Sequence, residues 1–67
     1  MIITLNNEIK EINETIKLNE FVDSLKLPSQ KGIAIAINKK VIIKKHWPIT
    51  KFNENDDVFL IKATQGG

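Results

Sequence analysis

Ile33-Ala34-Ile35-Ala36-Ile37-Asn38-Lys39-Lys40-Val41-Ile42-Ile43-Lys44 is the stretch on which the fold turns. Its first five residues alternate a branched aliphatic with alanine, the period-two pattern of a strand. Residues 33, 35 and 37 share one face; Ala34 and Ala36 share the other. One face is bulky and suited to a core, and the other is flat and small. Asn38-Lys39-Lys40 reads as a turn into a second strand, Val41 to Lys44. A lone hairpin is marginal in water, so the rest of the chain must add strands and a cover.

Upstream, Leu18, Phe21, Val22 and Leu25 fall at i, i+3, i+4 and i+7, one stripe of a helix. Glu20 and Asp23 lie early in it and Lys26 late, as the helix dipole favours. Pro28 predicts an end by about Leu27. Further upstream, Met1 to Leu5 and Glu8 to Ile12 read as strands joined by Asn6-Asn7, a pair that tolerates positive φ. Ile9 and Ile12 break strict alternation, which predicts a bulge or an early strand end. Downstream, Trp47, Pro48, Ile49 and Phe52 are spaced apolar residues in a long connection expected to plug the sheet edge. Asn53 to Asp57 is a turn cluster, and Val58 to Ala63 is the last strand.

Hairpin, helix, hairpin, connection and strand make an α+β domain, with one helix covering one sheet face. The first and last strands are expected as central neighbours in a mixed sheet of four to five strands, the β-grasp arrangement. The expected core is Ile3, Leu5, Leu18, Phe21, Val22, Leu25, Ile33, Ile35, Ile37, Val58 and Leu60. One domain, residues 1–63, is followed by a flexible tail, 64–67.

The 67 residues include no Cys and no Arg, and ten Lys against eight acidic residues give a net +2. Length permits one small domain, and the lack of Cys excludes a disulfide scaffold. The charge is too small to argue for nucleic acid, and Arg, the favoured reader of phosphate and guanine, is missing. The longest apolar run, residues 33–37, cannot span a membrane. A cytoplasmic protein with no nucleic-acid or membrane partner is expected.

Catalytic candidates are few. His46 has no second His near it for a metal pair. Asp56-Asp57, flanked by Asn53 and Asn55, reads as turn chemistry. Glu8, Glu11 and Glu14 form a solvated series. Lys39, Lys40, Lys44 and Lys45 form a basic cluster on the second hairpin, either blunting a strand edge or docking an acidic partner. No catalytic group and no metal site is expected. Alternation places Ala34, Ala36, Phe59, Ile61 and Ala63 on the face the helix leaves open. That flat apolar patch, edged by the four lysines, is the expected docking surface.

The chain ends Thr64-Gln65-Gly66-Gly67. Two terminal glycines arise by chance at about 0.5 % for average glycine usage. Glycine lets a peptide thread a narrow channel, and its carboxylate is sterically open to attack on a nucleotide phosphate.

The block Ala34 to Ile42 with Trp47 downstream, Val58-Phe59-Leu60-Ile61 after Asp56, and the Gly66-Gly67 end together resemble the ThiS family of thiamine-biosynthesis sulfur carriers. More distantly they are similar to the MoaD and ubiquitin-like families. Two departures stand out. Ile43-Lys44 occupies the place of a frequent Pro-Arg, so a contact made through that Arg is not carried over. Glu54-Asn55-Asp56 replaces a frequent Asp-Gly-Asp turn, a conservative change because Asn is the next-best residue for a left-handed backbone. The resemblance implies a carrier and not an enzyme. A ThiF-like enzyme would use ATP to adenylate the Gly67 carboxylate, with Thr64, Gln65 and Gly66 threading its active site. A cysteine-desulfurase persulfide would supply sulfur. The resulting thiocarboxylate would serve a ThiG-like thiazole synthase. The chain itself would bind no cofactor. A MoaD-like carrier and a small basic RNA-binding or interaction module are the alternatives; the second leaves the diglycine without a role.

Overall fold

In the computed structural model, residues 1–62 are described. Asn6 and Asn7 have φ of 49° and 68°, and Asn38 and Lys39 have φ of 52° and 70°. Positive φ at both central residues is the type I′ turn, whose twist matches that of the flanking strands. The first turn joins β1 (Ile2–Leu5) to β2 (Glu8–Glu11), and the second joins β3 (Ile33–Ile37) to β4 (Lys40–Ile42). The second turn is therefore two residues long, not three. Lys40 opens β4 opposite Ile37, and Val41 lies opposite Ala36. The first hairpin holds an even register from Ile2↔Glu11 to Leu5↔Glu8, without the expected bulge. β2 ends early instead, although the Ile12 N–H still donates to the Met1 carbonyl at 2.8 Å.

The sheet order is β2-β1-β5-β3-β4, with β5 running from Asp57 to Lys62. β1 and β5 are parallel neighbours at its centre, and the other pairs are antiparallel. Asn6 fastens that centre. Its side chain accepts from the Leu60 N–H at 2.9 Å and donates to the Leu60 carbonyl at 3.3 Å. This is the mixed five-stranded, α+β β-grasp sheet the element order pointed to.

The helix α1 (Leu18–Ser24) is shorter than the stripe predicted. The Glu20 carboxylate reaches back 2.9 Å to the Lys17 N–H, which sets its start. Lys26 turns left-handed, φ 53°, so the chain leaves the helix before Pro28 can act. Lys26 thus lies beyond the helix and not in its last turn.

Seven residues make a rod about 10 Å long, whereas five strands at about 4.8 Å spacing span about 19 Å. The helix cannot cover the sheet alone. A 3-10 helix, Lys44–Ile49, supplies the rest. Trp47 and Phe52 enter the core at 3 % and 4 % exposure, beside Ile3, Leu18, Phe21, Val22, Ile35 and Val58. Phe52 meets Phe21 edge-on at 5.2 Å, and the Trp47 indole N–H donates to the Ile42 carbonyl at 3.0 Å. The expected edge plug is a core wall. Leu5, Leu25, Ile33, Ile37 and Leu60, expected inside, are only half-buried against that core. No helix among the described residues is long and apolar enough to cross a membrane.

Candidate functional site

α1 and the 3-10 helix occupy one face of the sheet, and among the described residues no element covers the other. Register decides what lies on it. Ala34 pairs with Ile61 and Ala36 with Phe59, and Val41 flanks Ala36. On the far side Ile9 pairs with Thr4, and Thr4 with Asp57. An apolar band therefore crosses β5, β3 and β4, and the polar pair Thr4 and Asp57 separates it from Ile9 on β2. Ile9 is 77 % exposed, Val41 64 % and Ile61 57 %, whereas Phe59 and Ala36 are half-buried among them. Exposed apolar surface of this kind is common at protein–protein interaction sites. Thr4 Oγ1 donates to Asp57 Oδ1 at 2.9 Å, closing the polar end of the band.

The structure groups Ala34, Ala36, Phe59 and Ile61 on this face; Ala63 lies outside the described residues. The sequence reading missed Ile9 and Val41. Their signal was the two-residue turns, since each fixes its hairpin register and hence which residues face out. Reading Asn38-Lys39-Lys40 as a three-residue turn lost the register for Val41.

The four lysines do not form one cluster on the hairpin. Lys39 sits in the turn, Lys40 opens β4, and Lys44 and Lys45 belong to the 3-10 helix. Lys44 Nζ lies 5.8 Å from the Trp47 ring centroid, a cation–π contact that caps the core wall. Lys40 lines a groove beside Ile37 and Ile42, which lie on the core side of their strands.

The adjacent aspartates have separate roles. Asp57 Oδ1 meets Thr4, as above. Asp56 is 5 % exposed, and both its carboxylate oxygens are engaged. Oδ1 accepts from Asn38 Nδ2 at 2.9 Å and Oδ2 from the Asn53 N–H at 2.8 Å. Asn38 Oδ1 accepts in turn from the Asp57 N–H at 2.9 Å. This clasp ties the β3–β4 turn to the start of β5 and leaves no carboxylate pair for acid–base work. Asn55 is left-handed, φ 68°, a conformation that Asn adopts more readily than other non-glycine residues. His46 is exposed, and no metal-holding cluster occurs among the described residues. Thr64, Gln65, Gly66 and Gly67, with the domain–tail boundary, lie outside the described residues.

The model of the ThiS family matches residues 3–67. The chain belongs to the ThiS family. Among solved structures it is similar to the thiamine biosynthesis protein (ThiS) from Geobacter metallireducens. That likeness has a TM-score of 0.86 at 20 % identity and covers 100 % of each chain. At that identity the likeness speaks for the fold. No curated protein matches the chain. ThiS membership supports a sulfur-carrier role in thiamine biosynthesis and dealings with the enzymes of that pathway in general.

Proposed function

We propose that the Gly67 carboxylate is the sulfur-bearing group of a carrier, and that the bare sheet face docks the enzyme that activates it. The observation that carries this reading is the path of β5. The strand that presents Phe59 and Ile61 on the open face leads straight on to residues 63–67, which end Gly66-Gly67. Five extended residues reach about 17 Å. An enzyme seated on the band whose active site lies within that reach of the end of β5 can take up the terminal carboxylate. Docking offsets the backbone entropy, about 1–2 kcal/mol per residue, that threading the tail costs. The flat Ala34 and Ala36 let the partner surface approach the sheet closely.

The chemistry then belongs to the partners. A ThiF-like enzyme uses ATP to convert the carboxylate to an acyl-adenylate, with pyrophosphate leaving. A cysteine-desulfurase persulfide attacks the acyl carbon and expels AMP. A thiol then cleaves the resulting acyl disulfide to the thiocarboxylate, which serves a ThiG-like thiazole synthase. The carrier contributes an accessible carboxylate and a docking face, and no catalytic group. An RNA platform would need aromatic rings free on the open face; Phe59 there is half-buried, and Trp47 and Phe52 are in the core.

The test is intact mass after incubation with ATP, a ThiF-like enzyme and a persulfide donor. The expected product has gained the mass difference of one oxygen-to-sulfur exchange, located on the C-terminal peptide. Adenylation-competent enzyme that leaves the mass unchanged overturns the reading.

A further inference from the structure

The charge of this chain is unevenly placed. Residues 39–52 carry five lysines and no acidic residue, so the rest of the chain is net negative although the whole is +2. This basic segment is β4, the 3-10 helix and the residues just after it. Between it and the neighbouring residues Ile37, Asn38, Asn53 and Asp56 lies a groove of about 420 Å³, on the core side of β4. Ile37 and Ile42 give it an apolar lining, and Lys40 of β4 and Lys51, just after the 3-10 helix, are its two lysine lining residues. Asp56 is the one carboxylate among its described lining residues. Both its oxygens are already committed to Asn38 and Asn53. Two lysines against one carboxylate leave the lining with a formal charge of +1, and Asp56 has no oxygen turned to a ligand.

We propose that this groove is a second docking site, separate from the open sheet face, which takes an acidic peptide segment of a protein partner. An aliphatic side chain of that segment lies against Ile37 and Ile42, and its flanking carboxylates meet Lys40 and Lys51. The volume falls in the range of ligand-sized sites, about 300–1,000 Å³. Charge complementarity names the occupant, and ring chemistry separates it from the other polyanions. Nucleic acid favours Arg forks and exposed aromatic stacking surfaces. The chain has no Arg, and of the aromatic rings in the segment Trp47 and Phe52 are buried, leaving His46 alone exposed. Lysines around an aliphatic floor suit carboxylates interleaved with Ile or Leu.

The test uses the full free chain without ATP or enzyme, so its outcome is independent of the tail chemistry. Backbone amide NMR shifts are followed while a capped peptide, Glu-Ile-Glu-Leu-Asp-Glu, is added at low salt. The expected result is saturable shifts at Asn38, Lys40, Ile42 and Lys51, with affinity falling several-fold as salt screens the pairs. The K40Q/K51Q double variant keeps its fold, since both positions are exposed, and loses about tenfold in affinity. Four results overturn the proposal: no shift at millimolar peptide, shifts confined to Ala34, Phe59 and Ile61, equal binding of a Gln-for-Glu peptide, or tighter binding of oligothymidylate in the same groove.

Discussion

Replacing Asp56 by Ala removes a carboxylate that accepts two hydrogen bonds, from Asn38 Nδ2 at 2.9 Å and the Asn53 N–H at 2.8 Å. A hydrogen bond to a charged group contributes about 1.5–3 kcal/mol, so the pair is worth about 3–6 kcal/mol. Asp56 borders the groove, so water can reach the stranded donors and soften the loss. The expected cost is about 3–4 kcal/mol. A chain of this length has about 3–10 kcal/mol in all, so the variant sits near the edge of folding. Asp57→Ala, one residue on, loses only the one Thr4 hydroxyl bond at 2.9 Å, about 1.5–3 kcal/mol, half of what Asp56 loses. The assay is urea unfolding followed by the fluorescence of Trp47, the single tryptophan, which is buried and reports the core. Asn38→Gly keeps the left-handed turn and deletes the amide. A cycle of Asp56→Ala with Asn38→Gly should therefore show coupling of at least about 1 kcal/mol. If Asp56→Ala costs no more than Asp57→Ala, or if the two sites add without coupling, the clasp does not hold β5 to the turn.

Ile35→Ala, at a fully buried position, should cost about 2–5 kcal/mol. Half-buried Leu25→Ala should fall at or below the low end of that range, and a larger loss at Leu25 in thermal melts would reverse the core assignment made here. Ile61→Asp should change stability by no more than about 0.5 kcal/mol, because its side chain is exposed. It should nevertheless abolish ATP–pyrophosphate exchange with a ThiF-like enzyme; normal exchange would remove the open face from docking. Gly66→Val should leave the thermal midpoint unchanged and stop adenylation, because a β-branched residue is stiff and wide where bare backbone must thread. Lys39→Gly should raise the midpoint by a few degrees, since Lys39 holds φ of 70° where glycine carries no steric cost; a lower midpoint would refute the turn assignment.

Much of the fold could be read locally. The alternation of residues 33–37, the stripe from Leu18 to Leu25 and the Asn6-Asn7 pair each follow from periods and turn chemistry that neighbouring residues impose on one another. The element order then leaves few ways to bury one face of the sheet, and the central β1–β5 pair is among them. The open-face residues on β3 and β5 followed from the same alternation. Three matters needed the tertiary structure. Trp47 and Phe52 join the core because a seven-residue helix is too short for a five-stranded sheet, and that shortfall exists only once the sheet is assembled. Lys40 and Lys44 part company because β4 ends at Ile42 and Lys44 opens the 3-10 helix, where it lies against the Trp47 ring. Asp56 and Asp57 are alike in sequence. One is a buried clasp and the other a partner of Thr4, because their surroundings come from Asn38, eighteen residues before Asp56, and from Thr4, fifty-three residues before Asp57. Local rules set what each segment can be. Which of two neighbouring groups is buried is decided by parts of the chain that no local rule can see.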